Sequence, residues 1–237
     1  MANIFFRFKQ FTIQQDKCAM KVCTDSCILG AYAPLEKATR LLDIGTGTGL
    51  LALMAAQRAP QATIEAVEID SDAAWQAQEN VAQSPWPERV QVHHLSLQQF
   101  AETKPQPFDF IISNPPFYQA SLKSANAAKN TAKHTGELQF EDLLEFVKQY
   151  LVPEGKFSIL LPPAEAAVFE KLAKRLGLHP QDVLQVYTTP TGKHVRSIHT
   201  YSFTPADVTQ HTLVIREKDG SYTAPFRALL QDFYLIF

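Results

Sequence analysis

No stretch of this 237-residue chain comes near the roughly 18 consecutive apolar residues that a membrane-crossing helix needs, so no bilayer span is expected. Excess charge is lacking as well. The formal net charge is -2, whereas a non-specific nucleic-acid binder is ordinarily basic. Cysteine is scarce: Cys18, Cys23 and Cys27 lie close together but lack a fourth ligand and the paired C-x-x-C arms of a zinc site. Reduced thiols beside a buried surface are the expectation, and no metal. The opening, Met1 to Phe11, has no small-residue cleavage site of the secretory kind, which makes the cytoplasm the expected compartment. Repeats, low-complexity tracts and long linkers are missing too. What remains is an ordinary globular composition, 46% hydrophobic and 19% charged, with enough apolar material for a full core. The length suits one α/β domain spanning 1–237.

The apolar pattern alternates between short buried runs and helical spacing. Strands are predicted at Thr39–Ile44, Thr63–Glu68, Val90–His93, Phe108–Ser113 and Phe157–Leu161. Helices are predicted at Leu50–Arg58, at Asp72–Ala82 with Ser71 as its cap, around Phe140, Leu143, Leu144, Val147 and Leu151, and at Ala164–Arg175, ended by Gly177. Strands alternating with helices imply a mostly parallel, Rossmann-like sheet with helices on both faces. Val183–Tyr187 and Val195–Phe203 have no helix between them and predict an antiparallel hairpin at one edge. The expected organisation is a lead-in over 1–38, a core sheet over 39–203, and a closing strand and helix over 204–237. Phe226, Leu229, Leu230, Phe233 and Tyr234 have helical spacing and predict a helix docked on the core.

Asp43-Ile-Gly-Thr-Gly-Thr-Gly49 follows a predicted strand and opens a predicted helix. Glycines serve there because side chains would keep the backbone from a bound nucleotide. Glu68 ends the next strand, where a carboxylate faces a ribose. A dehydrogenase fingerprint would share these features, since Gly47-Thr-Gly-Leu-Leu-Ala52 fits G-x-G-x-x-A. A dehydrogenase turn, however, presents helix N–H groups to a pyrophosphate, beside which Asp43 would be unwelcome.

Asn114-Pro-Pro-Phe117 follows the fourth strand at the carboxyl edge, where open α/β sheets place their sites. An exocyclic amine is a poor nucleophile because its lone pair is delocalised into the ring. The side-chain oxygen of Asn114 and the carbonyl of Pro115 could accept its two hydrogens and aim that lone pair, while Phe117 stacks on the base. A plain strand terminator is the simpler reading of the prolines, and the flanking Asn and Phe speak for the functional one.

The glycine turn with Asp43, the stretch Val67-Glu-Ile-Asp70 and the N-P-P-F loop resemble the class I methyltransferases that act on amino groups. That resemblance implies S-adenosylmethionine as cofactor, with Asp43, Gly45, Gly47 and Gly49 at its methionine end. Glu68 would lie on the ribose and Ile69 on the adenine face. Ser96 stands where relatives often carry an aspartate on the adenine edge. The same motif occurs in enzymes acting on adenine, guanine and protein glutamine, so ribosomal-RNA guanine and protein glutamine stay open as substrates. A nicotinamide-dependent dehydrogenase and a non-catalytic RNA-binding relative are the readings from other classes.

Five pieces are similar to the bacterial tRNA(Val) adenine-37 N6-methyltransferases. They are the segment Phe8 to Asp25, the glycine turn, the N-P-P-F loop, Ala132-Lys-His134, and the ending Asp232-Phe-Tyr-Leu-Ile-Phe237. The resemblance implies that Lys21, Thr24 and Asp25 help close the methionine end. Cys23 stands where relatives are expected to have glycine. A tRNA partner, RNA binding and a monomer follow as expectations. Three acid-poor clusters could form a phosphate track: Arg7, Lys9, Lys17 and Lys21; Lys123, Lys129 and Lys133, with His134 beside them; and Lys193, His194, Arg196 and His199.

Overall fold

The computed structural model describes residues 3–18, 20–115 and 138–237. Two short strands, β1 (Phe5–Arg7) and β2 (Thr12–Gln14), form an antiparallel hairpin, followed by helix α1 (Thr24–Tyr32). Then come β3 (Arg40–Ile44), α2 (Leu50–Arg58), β4 (Thr63–Glu68), α3 (Ser71–Ala82), β5 (Val90–His94), α4 (Leu97–Glu102) and β6 (Phe108–Ser113). The later elements are α5 (Phe140–Tyr150), β7 (Leu151–Leu161), α6 (Pro163–Arg175), β8 (His179–Tyr187), β9 (His194–Ser202), β10 (Thr209–Val214) and α7 (Ala224–Leu230).

The main sheet has eight strands in the order β10-β8-β9-β7-β6-β3-β4-β5. Pairing is parallel except around β9, which runs antiparallel to both β7 and β8. The expected hairpin is therefore β8–β9, and β10 adds a parallel strand outside it. This is the Rossmann-like α/β arrangement expected from the sequence, a mostly parallel sheet with an antiparallel hairpin toward one edge.

Two apolar layers sandwich the sheet. One gathers α1, α2, α7 and the amino-terminal hairpin, through Ile13, Ile28, Leu53, Phe226 and Phe233. The other gathers α4, α5 and α6, through Phe100, Leu144, Phe157, Phe169 and Tyr201. Helix α5 carries Leu143, Leu144, Phe146, Val147 and Tyr150 on its buried side, with Glu141 and Asp142 in the first turn and Lys148 in the last. That order of charges suits the helix dipole. Helix α2 is buried nearly all round, which explains its almost continuous apolar sequence.

Local chemistry corrects several boundaries. Asp70, rather than Ser71, caps α3 by accepting from Ala73 N at 2.9 Å. Strand β7 begins at Leu151, well before Phe157, because Leu151 pairs with Phe108 across a register shift. Helix α7 stops at Leu230, and Phe233 and Tyr234 follow in a turn that still packs inward. Helices α1 and α4 were not foreseen. Cys18 and Cys27 are buried free thiols, and Cys23 is an exposed one.

Candidate active site

The carboxyl ends of β3, β4 and β6 lie side by side, because Ile44 pairs with both Val67 and Ser113. The glycine turn, Glu68 and Asn114 thus emerge at one edge of the sheet. Ser113 Oγ ties the strands together by donating to Ile44 O at 2.8 Å.

Gly47 and Gly49 have φ of 57° and 83°, in the left-handed region that favours glycine. A Cβ on Gly49 would also stand 3.4 Å from Ala77 Cβ of α3. Glu68 closes the turn from the neighbouring strand. Its Oε2 accepts from Gly47 N at 2.8 Å and its Oε1 from Asp70 N at 3.0 Å. The carboxylate is held by two backbone donors and keeps further lone pairs for hydroxyl donors.

Asp43 is fully buried under the turn. Its Oδ2 accepts from Thr46 Oγ1 at 2.5 Å and from Ala52 N at 3.1 Å, so it serves the first turn of α2. Its Oδ1 is buried without a hydrogen-bond partner. Burial pushes its pKa from 3.8 up to about 7, against the lowering by those two donors. A buried carboxylate with one unanswered oxygen suits a cation and repels a phosphate. The helix N-terminus that a pyrophosphate would use is already taken by this acid.

Ile69, just past β4, is 51% exposed although it continues an apolar strand. A flat aromatic ring laid there would cover it. His94 Nε2 lies 3.2 Å from Ile69 O. Ser96 is the N-cap of α4 in a full capping box: Ser96 Oγ accepts from Gln99 N at 3.1 Å, and Gln99 Oε1 from Ser96 N at 2.9 Å. The adenine-edge acceptor expected of Ser96 is thereby engaged in capping, and its hydroxyl proton is the part left to donate.

Asn114 is 7% exposed, and Pro115 beside it is buried. Asn114 Nδ2 donates to Ser26 Oγ at 2.7 Å. Asn114 Oδ1 is buried and has no hydrogen-bond partner among the described residues. The amide therefore presents an acceptor at the sheet edge, one strand away from the glycine turn. Phe117, Lys123, Lys129, Lys133 and His134 lie outside the described residues, as does Ala132.

The lead-in meets this edge through the first turn of α1. Thr24 and Cys27 lie beside the Tyr234 hydroxyl, whose pKa burial raises above that of a free phenol. Asp25 Oδ2 pairs with Arg196 Nε at 2.9 Å, and Arg196 Nη1 also donates to Val195 O at 2.7 Å. Asp25 and Arg196, expected respectively on the cofactor and on RNA, answer each other. The amino-terminal basic cluster is likewise tied within the chain. Lys9 Nζ donates to Phe237 O at 2.8 Å, and Lys21 Nζ to Asn3 O at 3.2 Å. Lys17 sits over the Trp75 ring at 3.0 Å and near Glu79 at 3.5 Å. Lys9, Lys17 and Lys21 thus each have a partner within the chain while staying at the surface.

Ser26 is a contact that sequence reasoning missed, and so is a buried amide network. Asn80 Nδ2 donates to Thr48 O of the glycine turn at 2.8 Å and to Gln14 O of β2 at 2.9 Å. Its Oδ1 accepts from Gln14 N at 2.8 Å, and Gln76 Oε1 accepts from Lys17 N at 2.9 Å. The hairpin is thus bolted to the turn.

Comparison with known proteins agrees with this geometry. The model of the methyltransferase small domain family matches residues 20–161. A protein of Pseudoalteromonas translucida named tRNA1(Val) (adenine(37)-N6)-methyltransferase is 46% identical, covering 97% of this chain and 98% of its own. A protein of the same name from Dyadobacter fermentans is 47% identical over 99% of both. The chain belongs to the tRNA1(Val) (adenine(37)-N6)-methyltransferase family. The fold is also that of a solved structure described as a predicted O-methyltransferase from Agrobacterium tumefaciens, with TM-score 0.64 and 19% identity over 88% of this chain and 96% of that one. In this methyltransferase the described residues include no group of three or more His, Cys, Asp and Glu placed to hold a metal. None of their helices is long and apolar enough to cross a membrane.

Proposed function

We propose that this methyltransferase transfers a methyl group from S-adenosylmethionine to the N6 amine of adenine-37, beside the anticodon of tRNA(Val), in the cytoplasm. The relatives named for that reaction support the substrate. The observation that carries the chemistry is the buried, partnerless Oδ1 of Asn114 beside the glycine turn.

The cofactor's residues are assigned by fit. Asp43 Oδ1 is an unanswered buried acceptor for the methionine ammonium, with Gly45 and Gly47 leaving room above it and Gly49 letting the turn pack on α3. Glu68, oriented by Gly47 N and Asp70 N, faces the ribose hydroxyls. Ile69 supplies the apolar face for adenine, and Ser96 can donate at its edge. Thr24 and Asp25 close the methionine end as part of the lead-in, 1–38, of one domain over 1–237. When bound, the cofactor supplies a methyl group on a positively charged sulfur, which is activated without help from a base.

The chain's own task is to make the purine amine nucleophilic. Asn114 Oδ1 accepts one amino hydrogen and the Pro115 carbonyl the other, which turns the nitrogen lone pair out of conjugation and toward the methyl. Phe117 stacks on the base, and an anticodon-loop base costs little to expose because it is unpaired. Lys21, Lys123, Lys133, His134 and Arg196 are the proposed neighbours of the RNA. The product loses its extra proton to water.

The test is methyl transfer from labelled cofactor to fractionated cellular tRNA, followed by mapping of the site, with wild-type protein and Asn114→Ala. Wild type is expected to label adenine-37. Asn114→Ala should lose about a thousandfold or more in kcat, the scale of a lost transition-state contact at the reacting group, while S-adenosylhomocysteine affinity stays within a few fold. A fully active variant overturns the mechanism. Unlabelled tRNA beside labelled ribosomal RNA or protein overturns the substrate.

A further inference from the structure

We propose that Ser26 is a positioning residue for the methyl transfer, one that fixes which end of the Asn114 amide faces the purine amine. The inference rests on the reading of Asn114 given above.

The oxygen and the NH2 of an asparagine side chain are nearly the same size, so only hydrogen-bond partners decide between the two orientations. For capture of an amine the choice is decisive. In one orientation the amide accepts an amino hydrogen, and in the other it sets N–H against N–H. Among the described residues Asn114 has one side-chain partner, Ser26 Oγ, which accepts from Nδ2 at 2.7 Å. Both residues are 7% exposed, so water competes little for either group. The Ser26 oxygen can act as acceptor because its own proton has a sulfur acceptor in reach, Cys23 Sγ at 3.1 Å. With the nitrogen occupied, the oxygen is the free end.

Ser26 is set in place by elements far away in the chain. It lies in the first turn of α1, and that turn is pinned on both sides of Ser26. Asp25 pairs with Arg196 of β9, and Cys27 N donates back to Cys23 O at 3.2 Å with its side chain packed beside Tyr234. A short polar side chain on a rigid turn holds the amide better than a loop residue would. Removing its oxygen leaves a buried N–H without a partner, which then competes with the purine for the amide's orientation.

Steady-state kinetics with a tRNA(Val) transcript test this, together with the side-chain amide resonance of Asn114 in 15N-labelled protein. Ser26→Ala is expected to lower kcat about tenfold, as for one modest hydrogen bond lost from the reacting geometry. KM for tRNA and the cofactor dissociation constant should move less than about threefold, and the Asn114 amide protons should shift upfield. Ser26→Thr keeps the oxygen and is expected to hold kcat within about threefold of wild type. Three results overturn the proposal: an unchanged kcat in Ser26→Ala, a Thr variant as slow as the Ala variant, or a slow Ala variant whose Asn114 resonance has not moved. Failure of the wider reading is distinct, since it is Asn114→Ala that would then remain active.

Discussion

The glycine turn and the first turn of α1 both border the same sheet edge, yet they are built in opposite ways. The glycine turn is assembled from near neighbours. Asp43 bonds to Thr46 and Ala52 of its own β-α unit, and Glu68 reaches Gly47 from the adjacent strand. The first turn of α1 takes its place from residues far along the chain, through Ser26 to Asn114 and Asp25 to Arg196. The first arrangement yields a motif readable in one line of sequence, and the second yields a constellation that no local pattern announces. On the proposed reading this is a division of labour: the local turn would grip the cofactor, and the long-range turn would orient the group that meets the substrate.

Substitutions can break that division apart. The largest effect on cofactor affinity is expected at Glu68. Glu68→Ala should weaken S-adenosylhomocysteine binding by about 1–3 kcal/mol, the range for lost bonds to a charged group, with Asn114-dependent chemistry intact at saturating cofactor. Calorimetric titration checks it, and undiminished affinity would place the carboxylate elsewhere. Next is Asn80, which bolts the hairpin to the glycine turn. Asn80→Ala should cost about 1–3 kcal/mol of stability by orphaning buried backbone groups, measured by denaturant unfolding.

Asp43 gives a sharper separation, because cofactor binding and stability should move in opposite directions. The folded state holds this proton more tightly than the unfolded chain does, since burial raises the pKa from 3.8 to about 7. Its contribution to stability is therefore largest at low pH and declines as pH rises from about 4 toward 7. Asp43→Asn keeps an acceptor for Thr46 and Ala52 and removes a buried charge. It should raise the melting temperature at pH 8 and change it little at pH 4, by calorimetry. The same titration should make the wild-type enzyme bind cofactor more weakly as pH falls through about 7, because the ammonium selects the ionised acid. A flat profile would remove Asp43 from that role. The smallest effect is expected at Arg196. The Arg196–Asp25 pair is partly exposed, with side-chain accessibilities of 29% and 24%, so Arg196→Gln should change stability by no more than about 1 kcal/mol.

Much of the parallel core was readable from periodicity, because strands such as Leu41–Ile44 and Phe110–Ser113 are buried on both faces and bounded by glycine or proline. Helix α4 escaped because it is only six residues long and its signal is the four-residue capping box Ser96–Gln99, not an apolar stripe. Helix α1 escaped because nearly all of it is buried, which erases the helical period. At the site, Asp43, Glu68 and Asn114 could be named from spacing. Ser26 could not, since its meaning depends on a partner 88 positions away. The partners of Lys9, Lys17 and Arg196 within the chain were illegible for the same reason. A cluster in sequence carries no record of the carbonyls, rings and carboxylates that fold back onto it.

A crystal structure with S-adenosylhomocysteine and an anticodon stem-loop bearing unmethylated adenine-37 tests the central geometry most directly. The account predicts Asn114 Oδ1 and the Pro115 carbonyl each about 2.9 Å from the adenine N6, with Ser26 still holding Nδ2 and the amine opposite the sulfur. An adenine amine facing away from Asn114, or a base seated elsewhere on the sheet edge, would contradict it.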